Sequence, residues 1–256
     1  YDASGSQAAE FSDIVCFDSE GSISIGGMKY ETVTEGAEYI VTVCVDEEYL
    51  KNAVYPVYVD PTISYTNTYI ADATIYSGYA DSNFGSYSYL VTGYYDASYG
   101  VGRTLVRFPG VTAALDSMET FQIINADFFL YKTSGSTSQN VSAYAFTGSS
   151  WSESTVTWNN ASASSYSTLI DTISFNSSTE AYFDVTSAVR GWIDETYNET
   201  KGLILVNSNE NDNAYMKSFY SRNYSTSSYR PYLVVDYAPI WTSVGGASYP
   251  DVGKTI

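Results

Sequence analysis

The sequence predicts an all-β fold: an antiparallel two-sheet β-sandwich with one short helix, preceded by a small β segment. Runs of about five to eight alternating, β-branched or aromatic residues recur between Gly, Ser, Asn and Asp turns, as in all-β sandwiches. Tyrosine is abundant, with 27 residues, whereas lysine and arginine together number 11. Long helical periodicities are missing. This composition is typical of extracellular β-structure.

The strand-like runs follow one another along most of the chain. The clearest are Glu38–Val45, Val54–Val59, Tyr87–Thr92, Arg103–Phe108 and Phe121–Tyr131, and further candidates are Val141–Phe146, Leu169–Ser174, Gly202–Val206, Tyr215–Phe219 and Pro231–Tyr237. One segment has helical spacing instead, because apolar residues stand at positions 185, 188, 189, 192 and 193. With Asp184 as N-cap, this pattern predicts a single amphipathic helix near 185–195.

Two boundaries divide the chain into three parts. Asp60-Pro61 ends a strand near residue 62, since the residue before proline is held extended. Residues 1–62 are then a small β segment or the end of a preceding domain, and 63–237 form the sandwich. Residues 238–256 are a linker or the start of a next module. The chain begins at Tyr1 without an initiator Met or signal pattern, so we expect a piece of a longer polypeptide.

Composition excludes most enzyme chemistry and several classes of partner. The chain has no histidine and two cysteines, which removes the common general base and multi-thiolate metal sites. We therefore expect no enzyme. The net charge of −18 disfavours nucleic acid, anionic membrane surfaces and polyanionic glycans. No apolar run approaches the roughly 20 residues of a membrane span, so we expect no membrane insertion.

Five ordered segments resemble the DNRLRE family: ADATIYSGYADSNFGSYSYLVTG, RTLVRF, SWSESTVTWNN, FDVTSAVRGWI and SYRPYLVVDY. The resemblance covers roughly residues 65–237. It implies a jelly-roll-like sandwich similar to carbohydrate-binding modules. The preceding AVYPVYVDPT is similar to a segment of very large YD-repeat (Rhs-type) wall-associated proteins of Gram-positive bacteria. That similarity implies a secreted protein, located at the cell surface or in the cell wall and continuous with further domains.

Together these features predict a non-catalytic extracellular carbohydrate-binding module of a large cell-surface protein, with a neutral polysaccharide as its glycan ligand. The alternative is a purely structural or adaptor β-domain of a YD-repeat wall-associated protein that binds no glycan.

Tyrosines around a predicted hairpin are the first candidates for contact with a glycan. Sugar rings pack their C–H faces on aromatic faces, while nearby carboxylates and amides bind hydroxyls. Five tyrosines, Tyr87, Tyr89, Tyr94, Tyr95 and Tyr99, cluster around the predicted hairpin YLVTGYYDASYGVGR. We expect Tyr94, Tyr95 and Tyr99 to be binding residues, with Asp96 and Asn83 as polar partners. The alternative is that tyrosine is simply the common strand-surface residue of this chain.

Trp151 and Trp158 bracket a run of hydroxyl residues, which raises the question of a sugar platform. On one extended strand, positions seven apart point to opposite faces, although a turn at SEST would remove that argument. We favour the structural interpretation, in which Trp158 packs inward and Trp151 caps one end of the sandwich. Trp192, within the helical pattern, is also expected to be buried.

Arg103 and Arg107 alternate with Leu105, so their side chains share one face of a strand. Basic residues on a sheet face could anchor an acidic polysaccharide. Because the surrounding charge is negative, we expect these arginines to pair with local carboxylates such as Asp127 or Asp184 instead.

A structural calcium ion is the expected cofactor, if there is one. Jelly-roll binding modules often hold calcium between their first and last strands, and hard cations prefer clustered oxygens. Asp72 and Asp236 stand near the two ends of the resembling region, and Asp81 lies in an adjacent loop. These three are the candidate metal ligands.

The two cysteines lie in separate strand-like runs of the N-terminal segment. Neighbouring strands could place Cys16 and Cys44 within disulfide distance. Free cysteine, however, often behaves as a small buried apolar side chain. We expect two separate buried thiols.

Overall fold

The structure, a computed structural model, describes residues 10–11, 14–17, 23–34, 38–55, 57–60, 62–65, 70–116, 121–135, 137–175 and 180–239. The chain divides into two compact units. The first comprises Ser64–Ser117 and Asn125–Val235, and the second comprises Glu10–Ile63, Met118–Ile124 and the chain from Asp236. Most of the expected linker 238–256 lies outside the described residues. Within the described part of the chain, no helix is long and apolar enough to cross a membrane.

The described elements are mostly strands. The strands are β1 Glu10–Phe11, β2 Ile14–Phe17, β3 Ile23–Thr34, β4 Glu38–Cys44, β5 Tyr58–Asp60, β6 Thr62–Tyr65, β7 Ala71–Tyr76, β8 Tyr89–Asp96, β9 Gly100–Arg107, β10 Phe121–Ser134, β11 Gln139–Phe146, β12 Tyr166–Phe175, β13 Glu180–Asp184, β14 Leu203–Asn207, β15 Lys217–Tyr220 and β16 Tyr232–Pro239. The helices are α1 Glu47–Asn52, α2 Val111–Asp116, α3 Trp158–Ala161 and α4 Thr186–Ile193.

Strands β7 to β16 form one curled antiparallel sheet. Its order is β16-β10-β15-β8-β9-β14-β11-β12, with β13 also paired to β10 and β7 to β9. Strand β8 changes neighbours along its length: Thr92 pairs with Lys217 of β15, and the next residue, Gly93, pairs with Gly102 of β9. Gly93 has φ +105°, which glycine adopts without a steric penalty. The sheet therefore folds into two layers, since sandwich corners form where a strand switches sheets.

We call β7, β9, β14, β11 and β12 layer A, and β15, β10, β13, β16 and the first half of β8 layer B. Phenylalanines fill the space between the layers: Phe108 and Phe175 follow or end strands of layer A, and Phe128, Phe183 and Phe219 lie on layer B. All five rings are buried. This arrangement confirms the predicted all-β, antiparallel, jelly-roll-like sandwich.

The predicted helix is confirmed as α4, with a shift at its start. Val185 is the N-cap rather than Asp184, although the Asp184 carboxylate accepts a 3.0 Å hydrogen bond from the Thr186 N–H. Four of the five residues of the apolar stripe are buried as predicted and Ile193 is half-buried, and the Trp192 ring centre lies 5.8 Å from that of Phe108. The expectation of a single helix was wrong, because the sandwich also carries the short helices α2 and α3.

The second unit contains a four-stranded antiparallel sheet of order β4-β3-β2-β5. Cys16 on β2 pairs with Ser24 and Val59, whereas Cys44 on β4 pairs with Gly27. Both thiols are free, Cys16 is buried and Cys44 is exposed. The prediction of two separate thiols is confirmed, and the predicted burial of Cys44 was wrong because it ends its strand.

Candidate functional site

The segment around Trp151 folds back over the outer side of layer A. Trp151 is buried beside Leu105, and its indole N–H donates a 2.8 Å hydrogen bond to the Lys201 carbonyl. Helix α3 follows and begins with a capping box between Thr157 and Asn160, which satisfies the first N–H groups of the helix. Trp151 therefore belongs to a packed segment, residues 151–163, that stabilises the sandwich. We call this segment the cover.

Trp158 lies in the same cluster and is half-buried. The Arg103 guanidinium carbon lies 5.2 Å from the Trp158 ring centre and 5.4 Å from that of Tyr166. Arg107 lies over Trp151 in the same way, at 5.3 Å. A guanidinium is attracted to the negative face of an aromatic ring. The two arginines thus share one face of β9, as their alternation predicts.

The structural interpretation of these tryptophans holds, but the predicted inward packing of Trp158 was wrong, because Trp158 packs on the outer side of layer A. Trp151 lies at the end of this layer where β9 ends and β14 begins, in contact with Arg107 and Lys201, as predicted. The turn at residues 153–155 lies between them and places both rings on the same side of β9.

The prediction that Arg103 pairs with a carboxylate is confirmed, but the named partners Asp127 and Asp184 were wrong. Arg103 forms a two-pronged ion pair with Glu210, with Nε–Oε1 and Nη2–Oε2 distances of 2.8 Å. Asp127 and Asp184 lie opposite each other in the β10–β13 pair of layer B. Arg103 is on layer A, and Glu210 reaches it from the loop after β14, the neighbour of β9.

Aromatic rings gather beside the β8–β9 hairpin. This hairpin cluster consists of Tyr76, Tyr79, Phe84, Tyr87, Tyr95 and Tyr99. Its base is the buried pair Tyr76 and Phe84, whose ring centres lie 4.9 Å apart at an edge-to-face angle. Tyr79 and Tyr87 are 42% and 51% exposed. The cluster therefore presents tyrosine rings to solvent above a packed, fixed base.

Of the predicted binding tyrosines, the structure brings Tyr95 and Tyr99 together, with ring centres 5.3 Å apart. Tyr94 is half-buried and lies outside the hairpin cluster, and Tyr89, which was also expected beside the hairpin, contacts Tyr220 and Tyr224 instead. Asp96 is exposed, and its Oδ1 accepts 2.8 Å hydrogen bonds from the N–H groups of Ser98 and Tyr99. Asp96 thus holds the turn that positions Tyr99.

Asn83 joins the loop after β7 to the Trp151 segment through hydrogen bonds. Its Nδ2 donates 2.8 Å hydrogen bonds to the carbonyls of Glu153 and Val156, and its Oδ1 accepts from the Gly85 N–H. Both amide N–H groups are therefore used within the fold. Gly85 passes so close to Glu153 that a Cβ there would lie 1.9 Å from the Glu153 carbonyl oxygen, which explains the glycine.

A cavity of about 710 Å³ opens beside Asn83. It is lined by Arg107, Glu153, Arg222 and Asn223, among others. Arg222 Nη1 contacts Glu153 Oε2 at 2.5 Å, and the Arg222 backbone N–H donates to Oδ2 of the buried Asp72 at 2.7 Å. Burial raises the pKa of Asp72 to about 7. Asp72 Oδ1 has no partner among the described residues.

The predicted metal ligands occupy different surroundings. Asp72 is buried, whereas Asp81 is exposed and its Oδ1 accepts a 2.8 Å hydrogen bond from Asn159. Asp236 belongs to the second unit. The described residues contain no group of three or more His, Cys, Asp or Glu side chains placed to hold a metal. A structural calcium ion stays a prediction.

Sequence reasoning missed a second and larger set of rings, on the outer side of layer B. We call it the outer aromatic face: Tyr89, Phe129, Tyr131, Tyr182, Tyr220, Tyr224, Tyr229 and Tyr232. The FFLY run at 128–131 carries the signal, since alternate residues point to opposite faces. Finding the whole face also requires the pairing of its strands.

The chain therefore contains an antiparallel β-sandwich that presents tyrosine rings beside a hairpin and on one sheet face. The model of carbohydrate-binding module family 96 matches residues 63–237, and the chain belongs to this family. No curated protein sequence matches the chain. The predicted class, a carbohydrate-binding module, is therefore confirmed, and domains of this class are typically non-catalytic.

Proposed function

We propose that this chain is a non-catalytic extracellular module that binds a neutral glycan, as part of a large cell-surface protein. The observation that carries the proposal is the hairpin cluster, in which Tyr79 and Tyr87 expose their rings above buried neighbours. A ring held in place binds at low entropic cost, because it loses little freedom when a sugar packs on it.

Polar groups for sugar hydroxyls lie close to these rings. Asp96 is exposed, and its Oδ2 makes no hydrogen bond to the described residues. The Tyr99 phenol can donate a hydrogen bond, since a tyrosine is protonated at neutral pH and burial, followed by the neighbouring phenols, raises its pKa further. Stacking faces beside donors and acceptors are the elements of a sugar site.

The charge of the chain supports a neutral ligand. The net charge is −18, and two cations of layer A are engaged with aromatic rings of their own cluster. A polyanion would be repelled at long range. The extracellular setting rests on the tyrosine-rich, lysine-poor composition and on the similarity to YD-repeat wall-associated proteins.

A purely structural β-domain is the second candidate. One observation favours it: the rings of the hairpin cluster pack edge-to-face on one another, so much of their surface stabilises the fold. In that case the module would bind no glycan, and truncating its exposed rings would change only its stability.

A glycan array with neutral oligosaccharides separates the two candidates. We expect the wild-type chain to bind, and the double variant Tyr79→Ala/Tyr87→Ala to bind at least about tenfold more weakly, because each ring contributes stacking energy. Tyr55→Ala is the matched control, since Tyr55 is 45% exposed in the second unit. The absence of any neutral ligand for the wild type would refute the proposed function.

A further inference from the structure

Layer B has aromatic rings on both of its sides. Along β10, Phe128 and Leu130 are buried, whereas Phe129 and Tyr131 between and after them are half-buried. The same alternation holds on the neighbouring strands, where the buried residue stands next to a tyrosine: Phe183 and Tyr182, Phe219 and Tyr220, Leu90 and Tyr89, Leu233 and Tyr232. An antiparallel sheet with one face toward water normally carries polar residues there. The outer aromatic face departs from that pattern.

The rings of this face form two adjoining groups. In the first, Phe129 stacks on Tyr232 with ring centres 4.5 Å apart and an angle of 4°, and Tyr182 lies 5.3 Å from Phe129. Phe129 and Tyr182 are cross-strand partners in the β10–β13 pair. Three rings from three strands therefore form one end of the face.

The second group is built around Tyr220. Its ring centre lies 4.0 Å from that of Tyr224, 5.3 Å from that of Tyr229 and 5.9 Å from that of Tyr89. Tyr131 joins the group at 5.5 Å from Tyr229 and lies two residues after Phe129 on β10. The same strand thus links the two groups into one surface.

Three of these rings are strongly exposed: Tyr89 by 49%, Tyr182 by 52% and Tyr229 by 43%. The free energy of folding gains little from rings that keep half of their surface in water. Contiguous aromatic surface that is exposed to water marks interaction sites on soluble proteins.

Polar groups on the face favour an uncharged partner. Tyr232 donates its hydroxyl to Glu180 at 3.3 Å, and Glu180 is the cross-strand partner of Tyr131. Burial, and then the Glu180 carboxylate, raise the pKa of Tyr232 to about 12. The face thus offers neutral phenols together with the carboxylates of Asp127, Asp184 and Glu180, which lie on the same side of β10 and β13 as the rings. These groups suit hydroxyl donors and repel anions. Arg230 beside it donates Nε to the Tyr224 carbonyl and holds the loop.

We infer that the outer aromatic face binds a linear, uncharged polysaccharide, with successive sugar rings stacked across the tyrosines. The inference takes the class of ligand from the proposed function, but it uses different residues from the hairpin cluster. A single sugar can stack on one ring only, and one ring contributes only part of the affinity. A polymer can contact several rings at once, so we expect a polymer to bind more tightly than a single sugar.

The test is a pull-down of the full chain on insoluble cellulose, xylan, mannan and chitin. Tyr89→Ala, Tyr182→Ala and Tyr229→Ala change exposed side chains, so the folded state should persist, and circular dichroism checks it. We expect the wild type to be retained on at least one polymer, and the triple variant to be retained at least about tenfold less on that polymer. Tyr55→Ala should match the wild type.

The hairpin double variant Tyr79→Ala/Tyr87→Ala distinguishes this inference from the proposed function. Loss of retention in the hairpin variant alone would overturn the inference and leave the proposed function standing. Loss in the triple variant alone would support the inference and contradict the hairpin site. No retention of the wild type on any of the four polymers would overturn the inference, whereas the glycan array decides the proposed function. A wild-type dimer that the triple variant makes monomeric in light scattering would show a protein interface and overturn the inference.

Discussion

The guanidinium carbon of Arg103 lies 5.2 Å from the centre of the Trp158 ring, and the same guanidinium is held by both carboxylate oxygens of Glu210. Arg103 also donates Nη1 to the Ala163 carbonyl at 2.9 Å. One side chain on β9 therefore connects the sheet, the loop after β14 and the cover that carries the tryptophans. The arginine fixes the cover to layer A.

Replacing Arg103 by Ala should cost about 2–3 kcal/mol of unfolding free energy, below the cost for a fully buried pair because these side chains retain some exposure. Arg103→Lys keeps the charge but cannot form a bidentate ion pair with the carboxylate. Its loss of unfolding free energy should therefore be smaller than that of Arg103→Ala. Urea unfolding followed by tryptophan fluorescence measures both. Equal midpoints for Arg103→Ala and wild type would contradict the role assigned to this residue.

Trp192→Ala should destabilise the sandwich by about 3–5 kcal/mol, because a buried ring leaves a cavity. Trp192 is 4% exposed and packs on Phe108. Trp158→Ala should cost less, since Trp158 is half-buried. Leu169→Ala, at a 52% exposed position on β12, is the control. Thermal melting would disagree with this placement if Trp192→Ala melted within a degree of wild type.

Asp72 should make stability fall as pH rises. Its pKa is raised from 3.8 in the unfolded chain to about 7 in the fold, chiefly by burial. Between these two values the folded chain holds a proton that the unfolded chain has released, so the free energy of unfolding decreases with increasing pH. Asp72→Asn has no such proton. Relative to wild type it should therefore gain stability from pH 4 to 7.

Urea titrations of both proteins at pH 4, 5, 6, 7 and 8 measure this difference. The gap between the Asn variant and wild type should widen up to about pH 7 and then level off, since the carboxyl is ionised in both states above it. A constant gap across this range would show that Asp72 does not hold the proton.

The two thiols should react differently in the native protein. Cys44 is exposed and Cys16 is buried, and burial also raises the pKa of the Cys16 thiol. Iodoacetamide should therefore add one label natively and two labels after denaturation without reductant, because the thiolate is the reactive form. Intact-mass spectrometry counts the labels. No label after denaturation would reveal a disulfide.

The sandwich and helix α4 could be predicted largely from local patterns, whereas the shorter helices α2 and α3 could not. Helix α4 has two turns and a visible apolar stripe. Helix α2 has six residues, and Glu199, far along the chain, accepts hydrogen bonds from the N–H groups of Gly110 and Val111 at its start. A helix held by such a distant carboxylate leaves little signal in its own sequence.

Contacts between side chains on neighbouring strands also could not be predicted from the sequence. The common face of Arg103 and Arg107 followed from the two-residue period of a strand, but the choice of Glu210 depends on β14 lying beside β9. The outer aromatic face has the same origin, since its rings come from separate strands and loops. Alternation predicts which way a residue points, and only the strand order tells which residues meet.

The central claim is that this module binds a neutral glycan. Its most direct test is isothermal titration calorimetry of the folded chain with soluble oligosaccharides from a neutral polysaccharide that retains it, and with alginate at the same physiological salt. We predict saturable binding to the neutral oligosaccharides and no measurable binding to alginate, because the net charge of −18 repels a polyanion. Micromolar affinity for alginate without binding to any neutral oligosaccharide would contradict the account.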